Sequence, residues 1–275
     1  VLGGDFIKKY LIVNINNKFT EVLFLSKGRN KYYLNWKFHY EKGTDNMEDK
    51  DKYINYIVEN IKRHTNNVKL RNIYFYMQND EIIIRNMENV SIKKKKDIIP
   101  LIKYEINKYI PIDLQNYIIK YKKITDFNDK NLVQGILFPK KFVHICNEIG
   151  EKLEIKKKYL NINFDILQKI LDMNLINLCS LDKKIIVIEN RQEDMILNKI
   201  YNNKIIESYL VDKSEKSNIL SVNDEENIYY FGINDDYMKN IQAKEISIKN
   251  KLLLDSNKEV IDENNHYLCA WGMII

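Results

Sequence analysis

The sequence predicts a two-lobed α/β protein with a short strand–helix–strand–strand unit set into its first half. Three observations predict it. A run of three consecutive strands joined by polar turns occurs near residues 10–40 and recurs at 184–210. Stretches with helical spacing of apolar residues follow each run. One of those helices stops abruptly at Pro111, and a β-rich segment, 117–121, begins almost at once. The expected domains are 1–80 with 155–178 as a first lobe, 81–154 as the inserted unit, and 179–275 as a second lobe.

Taken in order, residues 10–25 alternate and run apolar, and with 32–40 they read as an antiparallel meander. Helical spacing of Tyr53, Ile54, Ile57, Val58 and Ile61 predicts a helix over 52–61, and 71–77 is a buried strand. The inserted unit begins with a strand at 81–85. Its helix starts near Asp97 and carries the stripe Ile99, Ile102, Ile106, Tyr109 and Ile110. Pro111 ends that helix, because the residue before a proline is pushed out of the α region. Strands at 117–124 and 132–138 follow, then a helix over 141–153 with Pro139 fitting its first turn. The stripe of that helix is Phe142, Ile145, Cys146, Ile149 and Leu153, and a further helix covers 164–171. The second meander is 184–188, 195–200 and 205–210. A strand at 228–231, a short helix, a strand at 245–248 and a buried terminal helix within 265–275 complete the chain.

Bulk properties narrow the function classes. At 275 residues the chain can bury a full core. It has no run of about 18 apolar residues, so neither a membrane span nor a secretory leader is expected. The net charge of +6 is mild. The basic runs at 93–96 and 156–158 read as solvated faces, and no basic-aromatic stripe points to nucleic acid. Cys146, Cys179 and Cys269 lie apart in apolar contexts and read as buried thiols. His39, His64, His144 and His266 form no ligand pair, so no metal site is expected.

The block around Pro111 resembles the signature of PilM, an actin-like cytoplasmic family of type IV pilus assembly. That family carries a helix in which Trp or Tyr precedes Glu and the end reads Tyr-Ile-Pro, with a strand after it. Here the match is Tyr104 and Glu105, then Tyr109, Ile110, Pro111 and Ile112. The order of elements over nearly the whole chain also matches the actin-like architecture. In PilM and the related division protein FtsA, an inserted unit replaces a subdomain of actin.

Actin-like proteins grip ATP phosphates with two hairpin turns that read Asp-Ile-Gly followed by small hydroxyl residues. Glycine admits backbone amides to the phosphates, and the aspartate works through hydrated Mg²⁺. The first turn falls here on Asn14, Ile15, Asn16, Asn17 and Lys18, with asparagine at the aspartate and glycine positions. The second falls on Glu189, Asn190, Arg191 and Gln192, with Arg191 where glycine is expected. The adenosine loop retains the single glycine Gly232. Asparagine tolerates left-handed backbone, so both turns are expected to survive as hairpins. ATP with Mg²⁺ is disfavoured and no cofactor is expected. Residual nucleotide binding would run through Lys18 and Arg191; otherwise these are surface charges beside an empty cleft.

The resemblance implies a non-catalytic scaffold at the inner face of the cell membrane, in a machine of the kind that drives twitching motility. Its expected partner is the N-terminal cytoplasmic tail of a PilN-type membrane protein, with the pilus assembly ATPases as further candidates. The tail would lie near Tyr104, Tyr109, Ile110, Pro111 and Ile112, which otherwise read as core of the inserted unit. Three other functions compete: the cytoplasmic part of a GspL-type secretion protein, an active actin-like ATPase or sugar kinase, and an FtsA-like division protein. The second lacks its glycine loops. The third lacks an amphipathic helix after Trp271.

Overall fold

Two sheets of the same strand order are built from the two meanders. The computed structural model describes residues 8–28, 31–45, 47, 49–65, 68–88, 97–127, 130–178, 184–214, 227–248, 253–254 and 264–275. In β1 (Lys8–Ile15), Leu11, Ile12 and Val13 are fully buried, which suits a central strand covered on both faces. β2 (Thr20–Lys27) runs antiparallel to β1, and β3 (Tyr32–Tyr40) antiparallel to β2. α1 (Lys50–Thr65) then returns, burying Tyr53, Ile54, Ile57, Val58 and Ile61 as its spacing predicts. That return allows β4 (Asn72–Met77) to enter parallel to β1.

The chain next leaves this sheet. β5 (Ile83–Glu88), α2 (Ile98–Tyr109), β6 (Tyr117–Phe127) and β7 (Lys130–Pro139) form a separate sheet of order β5-β7-β6 with α2 on one face. α3 (Lys140–Lys152) leads back, and β8 (Lys157–Ile162) joins the first sheet parallel to β4. α4 (Asn163–Asp172) and the short β9 (Ile176–Asn177) follow. The second sheet comprises β10 (Ile185–Asn190), β11 (Asp194–Tyr201), β12 (Lys204–Asp212) and β13 (Asn227–Gly232), with β13 parallel to β10. After α5 (Asp236–Asn240) come β14 (Lys244–Glu245), β15 (Ser247–Ile248), β16 (Leu253–Leu254) and the terminal α6 (Leu268–Ile274). The two orders are β16-β3-β2-β1-β4-β8 and β12-β11-β10-β13-β14. Each is a meander extended by parallel strands on the side of its first strand, and the first sheet also carries β16, parallel to β3, on its other side.

One apolar core runs through both halves. Leu268, Cys269, Ala270 and Trp271 of α6 are buried in it beside residues of β1, β4 and α4. A satellite core inside the inserted unit gathers Met87, Ile98, Ile102, Ile106, Val133 and Leu137.

Several expectations change. The buried stripe of α2 is Ile98, Ile102 and Ile106; Ile102 and Ile106 are buried as expected, but Ile98 takes the place of Ile99, which is 37% exposed, and Tyr109 is 69% exposed. Isoleucines at both 98 and 99 left that rotation open, and the satellite core selects the i, i+4 row. α3, grouped in sequence with the inserted unit, packs instead on α1 and β8, and Phe142, Ile145, Cys146 and Ile149 belong to the main core. Pro139 closes β7 just before α3 rather than sitting in its first turn. The strand expected at 245–248 splits at buried Ile246, with β14 pairing β13 and β15 pairing β9. Cys179 and the run 93–96 lie outside the described residues.

Candidate functional site

The two turns occupy equivalent places, between the first two strands of each sheet, and both form without left-handed asparagine. The left-handed asparagines lie elsewhere, at Asn174 and in the two-residue turn Asn202–Asn203 joining β11 to β12. The first turn is closed by Asn16 N donating to Phe19 O at 2.9 Å, and the loop after β3 seals it from outside. Thr44 N donates to Asn16 O and Asp45 N to Asn17 O, both at 2.9 Å. Gly43 is required for that approach, since a Cβ there would lie 2.1 Å from Asn16 O. Asn16 is fully buried, and its side-chain amide has no hydrogen-bond partner among the described residues.

The second turn is sealed by charge. Arg191 is 5% exposed, contrary to its reading as a surface cation. Its Nε donates to Glu189 Oε1 at 3.0 Å, and its Nη1 to Asp194 Oδ1 and to Gln78 O, each at 3.4 Å. Glu189 also accepts from Asn163 Nδ2 at 3.0 Å and from Cys269 Sγ at 3.4 Å. Burial opposes the charge on Arg191, but Glu189 and Asp194 outweigh it and hold the guanidinium ionised. Burial pushes the Asp194 carboxyl up, against the pull of Arg191. Gln78 joins the pieces: its Nε2 donates to Ser208 Oγ at 2.7 Å, and its Oε1 accepts from Phe164 N at the start of α4. Of this network, sequence alone singled out Glu189 and Arg191. Gln78, Asn163, Asp194 and Cys269 carried no signal beyond the three-residue spacing of Arg191 and Asp194.

Between the turns lies a cleft of about 410 Å³, lined among others by Asn14, Glu189, Arg191, Gly232 and Cys269. Gly232, with φ +97°, turns the end of β13 against Asn190, where a Cβ would sit 2.2 Å from Asn190 O. Lys18 does not reach this cleft. It bridges the halves, with Nζ 3.1 Å from Glu193 and 3.3 Å from Asp212. Those partners raise the Lys18 pKa, Glu193 foremost. Asp212 is drawn down to about 2, chiefly by the Ser214 N–H and hydroxyl. The two cations expected to share a nucleotide are therefore each held by carboxylates in different places. No cluster of metal-ligating side chains occurs among the described residues, and no helix there is long and apolar enough to cross a membrane.

The Pro111 block faces another opening. Ile110 and Ile112 line a groove of about 800 Å³ with Tyr117, residues 78–85 and β12 residues Ser208, Tyr209 and Leu210. Among the described residues β5 and β12 are both edge strands, and they converge here, held at one end by Asn86 and Gln134 donating to Ile206 O. Tyr104 and Tyr109 do not line it. They are 67% and 69% exposed on α2, outside the core as well. Pro111 is also exposed. A second, smaller groove of about 170 Å³ lies where β6 nears β8, lined by Ile118, Phe138, Leu160 and Ile162. The ion pair of Lys122 with Asp165 joins the inserted unit to α4 nearby.

No family model and no curated protein matches the chain. Solved structures do. The chain is similar to one in a PilM–PilN type IV pilus biogenesis complex, at TM-score 0.56 and 14% identity, over 76% of this chain and 62% of that one. It spans less than two thirds of that relative's length. It is also similar to the cytoplasmic domain of EpsL, an inner membrane component of the type II secretion system of Vibrio cholerae, at TM-score 0.49, 8% identity and coverage of 74% and 71%. A Bacteroides thetaiotaomicron protein of unknown function with an actin-like ATPase fold gives 0.48 and 10%, with 95% of each chain covered. The fold is thus the actin-like, PilM-type two-lobed α/β fold with its inserted unit.

Proposed function

We propose that this protein is a non-catalytic scaffold of a type IV pilus assembly machine that holds the N-terminal tail of a PilN-type membrane protein. The observation that carries the proposal is the groove flanked by the edges of β5 and β12, with Ile110 and Ile112 in its wall. Unpaired strand edges offer main-chain hydrogen bonds to an extended peptide, and apolar pockets select its side chains. The likeness in fold to the chain of a PilM–PilN complex supports the choice of partner. Attachment through that tail would hold the protein at the inner face of the membrane. The sealed turns support the non-catalytic reading: neither presents glycine amides to a phosphate, and Arg191 is spent on Glu189 and Asp194.

A labelled peptide of the PilN-type tail, followed by fluorescence anisotropy, tests this. Ile112→Asp is expected to weaken binding by about 2 kcal/mol or more, while Tyr109→Ala, far out in solvent, leaves both affinity and melting temperature unchanged. Loss of binding on Leu160→Asp with none on Ile112→Asp would move the tail to the groove between β6 and β8. Calorimetry with Mg-ATP is expected to show no binding at micromolar concentrations, and heat corresponding to about 8 kcal/mol of affinity would overturn the non-catalytic reading.

A further inference from the structure

At the other end of the first sheet lies a concentration of positive charge that the tail does not need. Lys8 and Lys9 start β1, Lys69 and Arg71 lead into β4, and Lys156 and Lys157 open β8; together they line an open groove of about 910 Å³. All six are exposed, and Glu154 is the lone carboxylate in the lining. Topology brings them together: β1, β4 and β8 are adjacent and parallel, with Leu11 beside Ile73 and Asn72 beside Lys157, so their starts share one end. Among the described residues none of the six has a carboxylate at ion-pair distance. Lys18, Lys50, Lys141, Lys204 and Lys213 elsewhere each have one. Six like charges in one place repel one another and lower stability unless opposite charge is supplied.

We propose that this groove docks an acidic segment of a second protein. The choice of partner rests on reading the Ile110–Ile112 groove as the seat of the membrane tail. That groove lies beyond the far ends of β1 and β4, at residues 17–18 and 78–85. β1 has 8 residues, so at about 3.3 Å per residue the two sites are separated by roughly 25 Å. That exceeds the screening length of about 8–10 Å, so a bilayer drawn toward the tail groove would not feel these cations. The site is concave and three strands wide, about 10 Å, which fits one extended or helical segment better than a flat lipid surface. Stacking on nucleobases is disfavoured, because no aromatic ring lines the groove among the described residues.

The test uses the full chain and three probes: a fluorescein-labelled decaglutamate peptide, phosphatidylcholine vesicles doped with phosphatidylglycerol, and an oligouridylate. The expected result is salt-sensitive peptide binding that falls about tenfold or more in the variant Lys69→Glu, Arg71→Glu, Lys157→Glu. A control reversing Lys103, Lys123 and Lys244 to Glu, of equal net charge and outside the groove lining, should keep peptide affinity. Thermal melts establish that both variants fold. Equal loss in the control, no peptide binding at all, or preferential binding of vesicles or RNA that the first variant abolishes would each overturn the proposal. The PilN-type tail peptide is titrated in parallel. Its retention by the first variant separates this site from the tail groove, and its failure to bind wild type would sink the tail reading while leaving the peptide result standing.

Discussion

The two hairpin turns occupy the same place in the two sheets, yet they are closed by different physics. At the first, backbone closes backbone: the loop at Gly43 lies on the carbonyls of Asn16 and Asn17, and the buried side-chain amide of Asn16 has no partner among the described residues. At the second, a buried guanidinium is clamped between two carboxylates. The first closure depends on the absence of a side chain and the second on the presence of one. A turn between the first two strands of a sheet can thus be closed by shape or by charge, and the two should fail differently.

Removing the charge should break the second turn hardest. Arg191→Leu leaves Glu189 and Asp194 buried without a cation, and a loss of about 3–5 kcal/mol is expected in urea unfolding. Adding Glu189→Gln and Asp194→Asn to that variant should recover much of the loss, because neutral amides need no counter-charge. A cost under 1 kcal/mol for Arg191→Leu alone would show that the network is not holding the turn. Shape should come next. Gly43→Ala forces a methyl to within 2.1 Å of Asn16 O, and the backbone shift is expected to cost about 1–3 kcal/mol, visible as a lower melting temperature.

The clasp made by Lys18 between the turns is half-exposed and should matter less. Lys18→Ala is expected to cost no more than about 1 kcal/mol, the range of solvent-screened pairs. The pH dependence has a definite sign. Asp212 ionises lower in the folded state, near 2, than in the unfolded chain, near 4, so its contribution is complete above about 4 and fades as pH falls toward 2. Lys18, raised by its partners, contributes below its unfolded value near 10.4 and loses that contribution as pH rises through the higher folded one. Stability profiles of Lys18→Ala should lack the alkaline limb and show a weaker acid one. The smallest effect is expected at Asn16→Ala. Its buried side-chain amide has no partner among the described residues, so the change should move stability by no more than about 0.5 kcal/mol in the unfavourable direction.

Much of this was legible beforehand. The repeated meanders, the stripe of α1 and the stop at Pro111 are set by local periodicity and one rigid residue, and the structure shows all three. The positions of both turns followed from the same count. What was hidden depends on distant partners. Burial of Arg191 is completed by Gln78, 113 residues away just past the end of β4, and an arginine in a turn is ordinarily a solvent residue. β8 was masked because its edge position lets Lys157 and Tyr159 stay exposed, so the segment reads as a charged run. The basic groove was seen only at 156–158, because its other members come from β1 and β4, which only the parallel pairing brings alongside.

The terminal α6 has a consequence for the order of events during synthesis. It lies at the far end of this sequence from β1, yet its Leu268 and Trp271 are buried against the first half, on β1, β4 and α4. A ribosome delivers β1 long before α6, so the first half must wait with part of its apolar surface uncovered until the second half has emerged. Contacts between such remote segments form slowly, because a long loop has to close before they are rewarded. The inserted unit, whose β6 and β7 are hairpin neighbours with a core of their own, is free to fold during that interval. The nascent chain should therefore acquire a folded inserted unit before it acquires a stable first sheet.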